Sequence, residues 1–318
     1  MAIQLPPTCR AMLPSQAGVI SRRQALAGGL TAAVIDNQLR AGRWQTLQTG
    51  VYATFTGSPA RPARLWAVVL CAGTGAVLSH QTAAELAGMT EPGGTIHVTV
   101  PVGRTPAPIR GAVVHRSIRV GQARHPARQP PRTRIEATTL DLAETAPHFD
   151  DAFGWLCRSV GRRLTTASRL RAELDGRPKV RWRAGLIAAL DDIGAGVASG
   201  LEQRYATGVE RAHGLPAATR QVRLVLAGQV RYIDNLYEQA GLAVELDGQA
   251  AHPVEDRWAD MHRDNAHAAV GLITLRYSWA DVTLRPCQVA REVGAVLRRR
   301  GAPVVPRRCG RNCAVGPP

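Results

Sequence analysis

Three carboxylates, Asp234, Glu245 and Asp247, stand in the segment QVRYIDNLYEQAGLAVELDGQAAH, which runs from Gln229 to His252. Two short apolar runs, Val230 to Ile233 and Leu242 to Leu246, flank Glu238, Gln239, Ala240 and Gly241, a pattern that predicts a β-hairpin with a four-residue loop. With the turn centred between Gln239 and Ala240, antiparallel pairing sets Asp234 opposite Glu245. The two-residue period of a strand then sets Asp247 on the face of Glu245. Like charges facing each other across a sheet are destabilising, so a positive group is expected between them. Carboxylate oxygens are hard donors that suit Mg²⁺ or Mn²⁺ better than a soft metal. Such an ion activates water and stabilises the charge that develops when a phosphodiester is cut. The plainer alternative is a surface loop of solvated acids, and a one-residue slip of register would turn Asp234 to the other face.

Asp, ten residues, then Glu-Leu-Asp-Gly and a nearby His252 resemble the restriction-endonuclease-like superfamily, and most of all its DUF559 branch, related to very-short-patch repair endonucleases. The resemblance continues through Asp256, Arg257, Asp260, Arg263 and Asp264 into TLRYSWADV, and covers roughly Ser199 to Arg300. It implies a Mg²⁺-dependent nuclease fold with Asp234, Glu245 and Asp247 as metal ligands. Glu202, His252, Arg263 and Arg276 join them in the catalytic set. In the superfamily the usual pattern ends in Glu-X-Lys, whereas Asp247 stands in the lysine position here, as it does in this branch. No other lysine can substitute locally, because Lys179 is the only one in the chain. Ser199, Gly200, Leu201 and Glu202 also fit a capping box, so Glu202 has two competing readings, helix cap and fourth site carboxylate.

The elements that position these residues are read from pattern. Gly18 to Tyr52 predicts a helix capped by Ser21, a turn at Gly28 and Gly29, a second helix capped by Thr31, and two short strands around Gln48, Thr49 and Gly50. This is the winged helix-turn-helix plan, whose second helix enters the major groove of DNA. SRRQAL, the segment before GRW, and GVY resemble the N-terminal domain of the AbiEi family, the antitoxin and repressor side of type IV toxin-antitoxin systems. The resemblance implies that Thr31, Ala32, Ala33, Asp36, Asn37 and Arg40 face DNA, with Arg43 at the wing. Asn37 and Arg40 are the candidates for reading base edges and Arg22, Arg23 and Arg43 for phosphates. Small helix-turn-helix units also serve as protein docking modules.

The chain divides by pattern into a disordered start (1–17), the winged domain (18–57), a small α/β unit (58–146), a basic helical connector (147–196), the endonuclease-like α/β domain (197–300) and a disordered tail (301–318). The fold class is multi-domain α/β. In the α/β unit SHQTAAELAG also resembles AbiEi-like proteins, and His80 beside the helix start reads as support, not as a catalyst. In the connector Phe153, Trp155, Leu156 and Val160 are the expected inward face. In the last domain a helix over Glu255 to Val270, with Trp258 and Met261 inward, and a central strand over Leu272 to Tyr277 are expected. CGRNC in the tail lacks a second local pair of ligands and reads as unstructured, and Cys71 and Cys157 read as small buried hydrophobes.

The formal charge of +16 points to a polyanion, double-stranded DNA first. Its distribution is uneven. Residues 104–134 hold eight arginines and no acid, 158–183 hold nine basic residues against Glu173 and Asp175, and 184–291 hold ten arginines against thirteen acids. The nuclease-like part is therefore slightly acidic, and the grip on phosphates must come from elsewhere in the chain. Arg104, Arg110, Arg116 and Arg119 either ring a phosphate path or form a solvated face. No run reaches the length of a membrane span, so a soluble, cytoplasmic protein without a membrane partner is expected. An enzyme and an AbiEi-like regulator with a silent nuclease-like domain, the latter with a toxin partner, both fit.

Overall fold

The computed structural model describes residues 4–195, 197–226, 229–247, 261–262, 265–311 and 313–316. His252, Arg263, Trp258 and most of the helix expected over Glu255 to Val270 lie outside them. The chain forms two compact units, Met1–Leu142 and Ala143–Pro318, both mixing helices and sheets in the α/β class expected. No described helix is long and apolar enough to cross a membrane.

The first unit opens with α1 (Pro7–Met12), which contradicts the disordered start: Cys9 is fully buried with Ile20, Ala25, Ile35 and Tyr52. β1 (Val19–Ser21), not foreseen, leads into α2 (Arg22–Ala27), whose cap is the expected Ser21 in a capping box with Gln24. α3 (Ala32–Arg40) is capped by Thr31, whose Oγ1 accepts from the Val34 N–H. β2 (Gln45–Gln48) and β3 (Val51–Ala53) form the expected ribbon, and β1 adds to it in the antiparallel order β1-β3-β2. Then come α4 (Arg61–Ala72), β4 (Val77–Leu78), α5 (His80–Leu86), β5 (Ile96–Pro101), β6 (Ala112–Ser117) and α6 (Val120–Ala123). The apolar α4 lies in two clusters, one with Val19 and Val51 and one with Val98 and Val100, so the predicted domains 18–57 and 58–146 share a core.

α7 (Ile135–Thr145) straddles the division. The second unit continues with α8 (Phe149–Gly161), α9 (Ala167–Asp175), α10 (Arg183–Ala195) and α11 (Val197–Arg204), which runs into a π-wound stretch over Tyr205–Arg211. β7 (Thr219–Leu226), β8 (Gln229–Tyr237), β9 (Leu242–Asp247) and β10 (Ile273–Ser278) make one mixed sheet, and α12 (Trp279–Leu284) and α13 (Pro286–Arg299) close it. The connector is not separate: Phe149 and Phe153 of α8 stack on the buried Trp279 of α12 at centroid distances of 5.5 and 4.9 Å. Leu156 is buried as expected, whereas Trp155 and Val160 are only half-buried, Trp155 with Arg158 over its ring.

Three further expectations fail. β10 is at the sheet edge among the described strands, because it pairs with β9 alone, and Ile273 is exposed; the buried central strand is β9. Met261 is exposed, not inward. The tail packs: Val304 and Val315 are buried, and the Arg307 N–H donates to the His213 carbonyl at 2.8 Å.

Candidate functional site: an acidic sheet face and two histidine clusters

β8 and β9 pair antiparallel through Asn235↔Val244, Leu236↔Ala243 and Tyr237↔Leu242, around a turn that ends at Gly241 in the left-handed conformation. The next position outward in that register sets Asp234 opposite Glu245. A left-handed residue at that point costs little only for glycine, which is why the sequence closes the loop there. β9 and β10 pair in parallel, with Glu245 beside Arg276 and Asp247 beside Ser278. Register partners on adjacent strands project to one face, so Asp234, Glu245, Asp247 and Arg276 share a face.

Glu245 is buried, at 8% exposure, while Asp234, Asp247 and Arg276 are half-buried. Asp234 is fixed by its second oxygen, Oδ2, which accepts from the Leu246 N–H at 2.8 Å. Glu202 reaches the same patch from α11. The helix starts at Val197, ahead of Ser199, so Ser199 is no N-cap, and Glu202 Oε1 accepts instead from Gln221 Nε2 at 2.5 Å. The same amide donates to Asp234 Oδ1 at 3.2 Å. Of the sequence-predicted residues, then, Asp234, Glu245, Asp247, Arg276 and Glu202 gather in one region.

Gln221 has no warning in the sequence. It sits inside β7 between the pairs Arg220↔Asn235 and Val222↔Ile233, facing Asp234, yet its φ is +48°. A left-handed non-glycine residue inside a strand stores strain, which clusters at functional sites. Behind the face, Glu210 Oε1 accepts from the Tyr237 hydroxyl at 2.9 Å and the Ala218 N–H at 3.1 Å, Arg220 pairs with its other oxygen, and the Tyr205 hydroxyl meets Tyr237 at 3.0 Å. Burial pushes the Tyr237 hydroxyl far up, which keeps it a neutral donor to Glu210.

In the first unit Asn37 and Arg40 are exposed on α3. Arg22 donates to Asp36 at 3.1 Å, so the acid that would repel phosphate is paired. Arg23 is exposed and donates to Thr74 Oγ1 at 3.0 Å, Arg43 is half-buried with its Nε on Gln38 at 2.7 Å, and the Thr31 hydroxyl is occupied as a cap.

Two groups of side chains bring their ligand atoms within 4.8 Å of one another: His80, His97 and His115, and His213, Cys287, Cys309 and Cys313. Among the described residues the ribbon carboxylates do not form a third. In the first group His80 and His115 stack at 3.8 Å, and His97 Nδ1 meets His115 Nε2 at 2.9 Å. Ring nitrogens bind a metal in the ring plane, so stacked rings aim their lone pairs side by side and not at a common point. The arrangement is a hydrogen-bonded pair, in which one of His97 and His115 supplies the shared proton, with His80 stacked on His115. Burial lowers both of these imidazoles from their ordinary value, and the neighbouring His97 lowers His115 further. His80 Nδ1 meets Ser79 Oγ at 3.0 Å, in keeping with a supporting role.

No family model matches the chain, and no curated protein matches it. Among solved structures the chain is similar to the RV2827C protein from Mycobacterium tuberculosis, known from a crystal structure, at 20% identity over 63% of this chain and 81% of that chain. The TM-score is 0.39, a likeness too slight to carry an argument about fold or function.

Proposed function

We propose that this is a DNA-binding protein whose C-terminal unit carries a phosphodiester-cleaving site, with Asp234, Glu245 and Asp247 as the oxygen donors for Mg²⁺ or Mn²⁺. The observation that carries the reading is the β8–β9 register, which one position beyond the Asn235–Val244 pair faces Asp234 with Glu245, together with the pairing of Arg276 and Glu245. Carboxylate oxygen is the donor type of a hard divalent ion, and the three side chains must draw together to hold one, because their oxygens do not all lie within 4.8 Å of one another. That ion, when bound, neutralises charge on the phosphate and lowers the pKa of water. The chain's own residues do the rest: Asp247, Glu202 or His252 accepts the proton of the attacking water, and Arg276 and Arg263 balance the scissile phosphate. α3 and the β2–β3 ribbon form a winged helix-turn-helix that holds double-stranded DNA through Asn37, Arg40, Arg22, Arg23, Arg43 and Thr31.

A second reading has its own observation. The Gln221 amide bridges Glu202 and Asp234, supplying by hydrogen bonds part of the positive charge that the acids require. With aspartate in place of lysine at 247, that favours an AbiEi-like regulator with a silent nuclease-like domain and a toxin partner. Plasmid nicking with Mg²⁺ or Mn²⁺ by the purified chain and by Asp234→Ala separates the two. We expect nicking to fall by about 10²-fold or more in the variant, as for loss of a transition-state charge stabiliser, with DNA binding in gel shift retained. Equal cutting by both proteins removes Asp234 from the mechanism. Absence of cutting on DNA and RNA, with DNA binding intact, leaves the regulator.

A further inference from the structure

We propose that His213, Cys287, Cys309 and Cys313 form a structural zinc site that fastens the C-terminal tail to the second unit. Their four ligand atoms lie within 4.8 Å of one another, although the residues come from three separate parts of the chain. Ligands about 2.3 Å from a tetrahedral zinc stand roughly 3.7 Å apart, so this spacing is close to that of a loaded site. Cys287 Sγ and Cys309 Sγ are 3.4 Å apart, well beyond a disulfide bond of about 2.05 Å and short for two thiols with no reason to meet.

The histidine supplies an independent observation. His213 is fully buried, and its Nδ1–H donates to the Val209 carbonyl at 3.0 Å. That bond fixes the tautomer and leaves the lone pair on Nε2, which is buried with no hydrogen-bond partner among the described residues. A buried ring nitrogen in that state is costly unless something accepts its lone pair. Support of one imidazole nitrogen by a backbone carbonyl, with the other turned to the metal, is the usual way a zinc-bound histidine is held.

The backbone is built around the same point. Cys287 follows Pro286 in the first turn of α13, where free N–H groups favour a thiolate. Cys309 and Cys313 are separated by three residues, within the usual spacing of a zinc pair, and the Cys313 N–H donates to the Gly310 carbonyl at 3.3 Å. Arg307 binds the tail to the helix end twice, through its N–H to the His213 carbonyl at 2.8 Å and through Nη2 to the Arg211 carbonyl at 2.9 Å. Pro306 lies on Gly294 of α13, where a Cβ would stand 2.5 Å from the ring. Three thiols and an imidazole make a soft, closed set, which selects zinc over Mg²⁺ and leaves no open position for a reacting water. Binding transfers the three thiol protons to solvent as thiolates form.

The test is metal analysis of the full chain purified in reducing buffer, with no DNA or Mg²⁺ present, so its outcome is separate from that of the nuclease reading. About one zinc per chain is expected, resistant to gel filtration and removed by a thiol-blocking mercurial. Replacing zinc by Co²⁺ should give the thiolate charge-transfer and intense d–d absorption of a tetrahedral sulfur site. The pair Cys309→Ser and Cys313→Ser lies in the tail and leaves the buried His213 in place, so it keeps the test clear of misfolding. It should reduce zinc to under about a tenth per chain, while Asp234→Ala retains it. Less than about a tenth of an equivalent of zinc after reduction and incubation with excess metal would overturn the proposal. So would zinc content unchanged in the tail pair, or a Cys287–Cys309 disulfide found by mass mapping of the unreduced protein.

Discussion

Two demands meet at Gln221: a left-handed backbone inside a strand, and a side-chain amide shared by two acids. Strain of that kind costs about 1–3 kcal/mol. Gln221→Glu replaces the shared donor with a third carboxylate. The variant is expected to lose about 1–2 kcal/mol at pH 7, as when hydrogen bonds to charged groups are lost, and to recover when Mg²⁺ is added, both read by urea denaturation. A loss that Mg²⁺ does not relieve would argue that no cation enters the patch. The hairpin itself was legible, because two apolar runs flank a short loop that ends in a glycine, while its register, which a one-residue slip would change, is fixed by the pairing of β8 with β9. Gln221 was not, since TRQVRLVL reads as an ordinary strand and nothing local announces a reversed backbone. The same holds for His213: its three partners lie far along the chain, and no spacing rule joins a lone histidine to a later CGRNC.

Among elements, α1 and the histidine pair on β5 and β6 make separable predictions. A Cβ on Gly28 would stand 2.3 Å from Cys9 Sγ, so Gly28→Ala should push α1 off the α2–α3 turn. Faster cleavage near Met12 in limited proteolysis, with a stability loss of about 1–3 kcal/mol, is the expected result. His97 and His115 titrate below their ordinary value in the folded chain. As the pH falls through the unfolded value of about 6.5, the unfolded chain takes up protons first, so the stability these residues contribute is present above that value and lost below it. Thermal denaturation of the chain across pH 7.5 to 5 should show the loss, and His97→Gln should flatten it. The caps at Ser21 and Thr31 were legible because side-chain type and helix start coincide. The place of β10 was not: apolarity on both faces predicts burial, but pairing order is decided by strands remote in sequence, and β9 took the centre.

For the whole molecule, the charge of +16 and its uneven spread make salt the diagnostic variable. On the DNA-binding reading, Arg23→Ala should weaken binding evenly across sequences and reduce the salt slope by about 1, whereas Asn37→Ala should cost about 1–3 kcal/mol and relax discrimination at one base pair. Fluorescence anisotropy titrations over a range of salt on matched and scrambled duplexes measure both. The wider winding over Tyr205–Arg211 has a consequence at this scale too. It sets the phase at which Glu210 meets Tyr237 and at which the Val209 carbonyl meets His213. Excising one residue there would rotate everything after it by about 100°, and the acid behind the sheet and the imidazole over the tail would swing out of line together. The carboxylate behind the sheet and the imidazole over the tail thus inherit their aim from one wide coil.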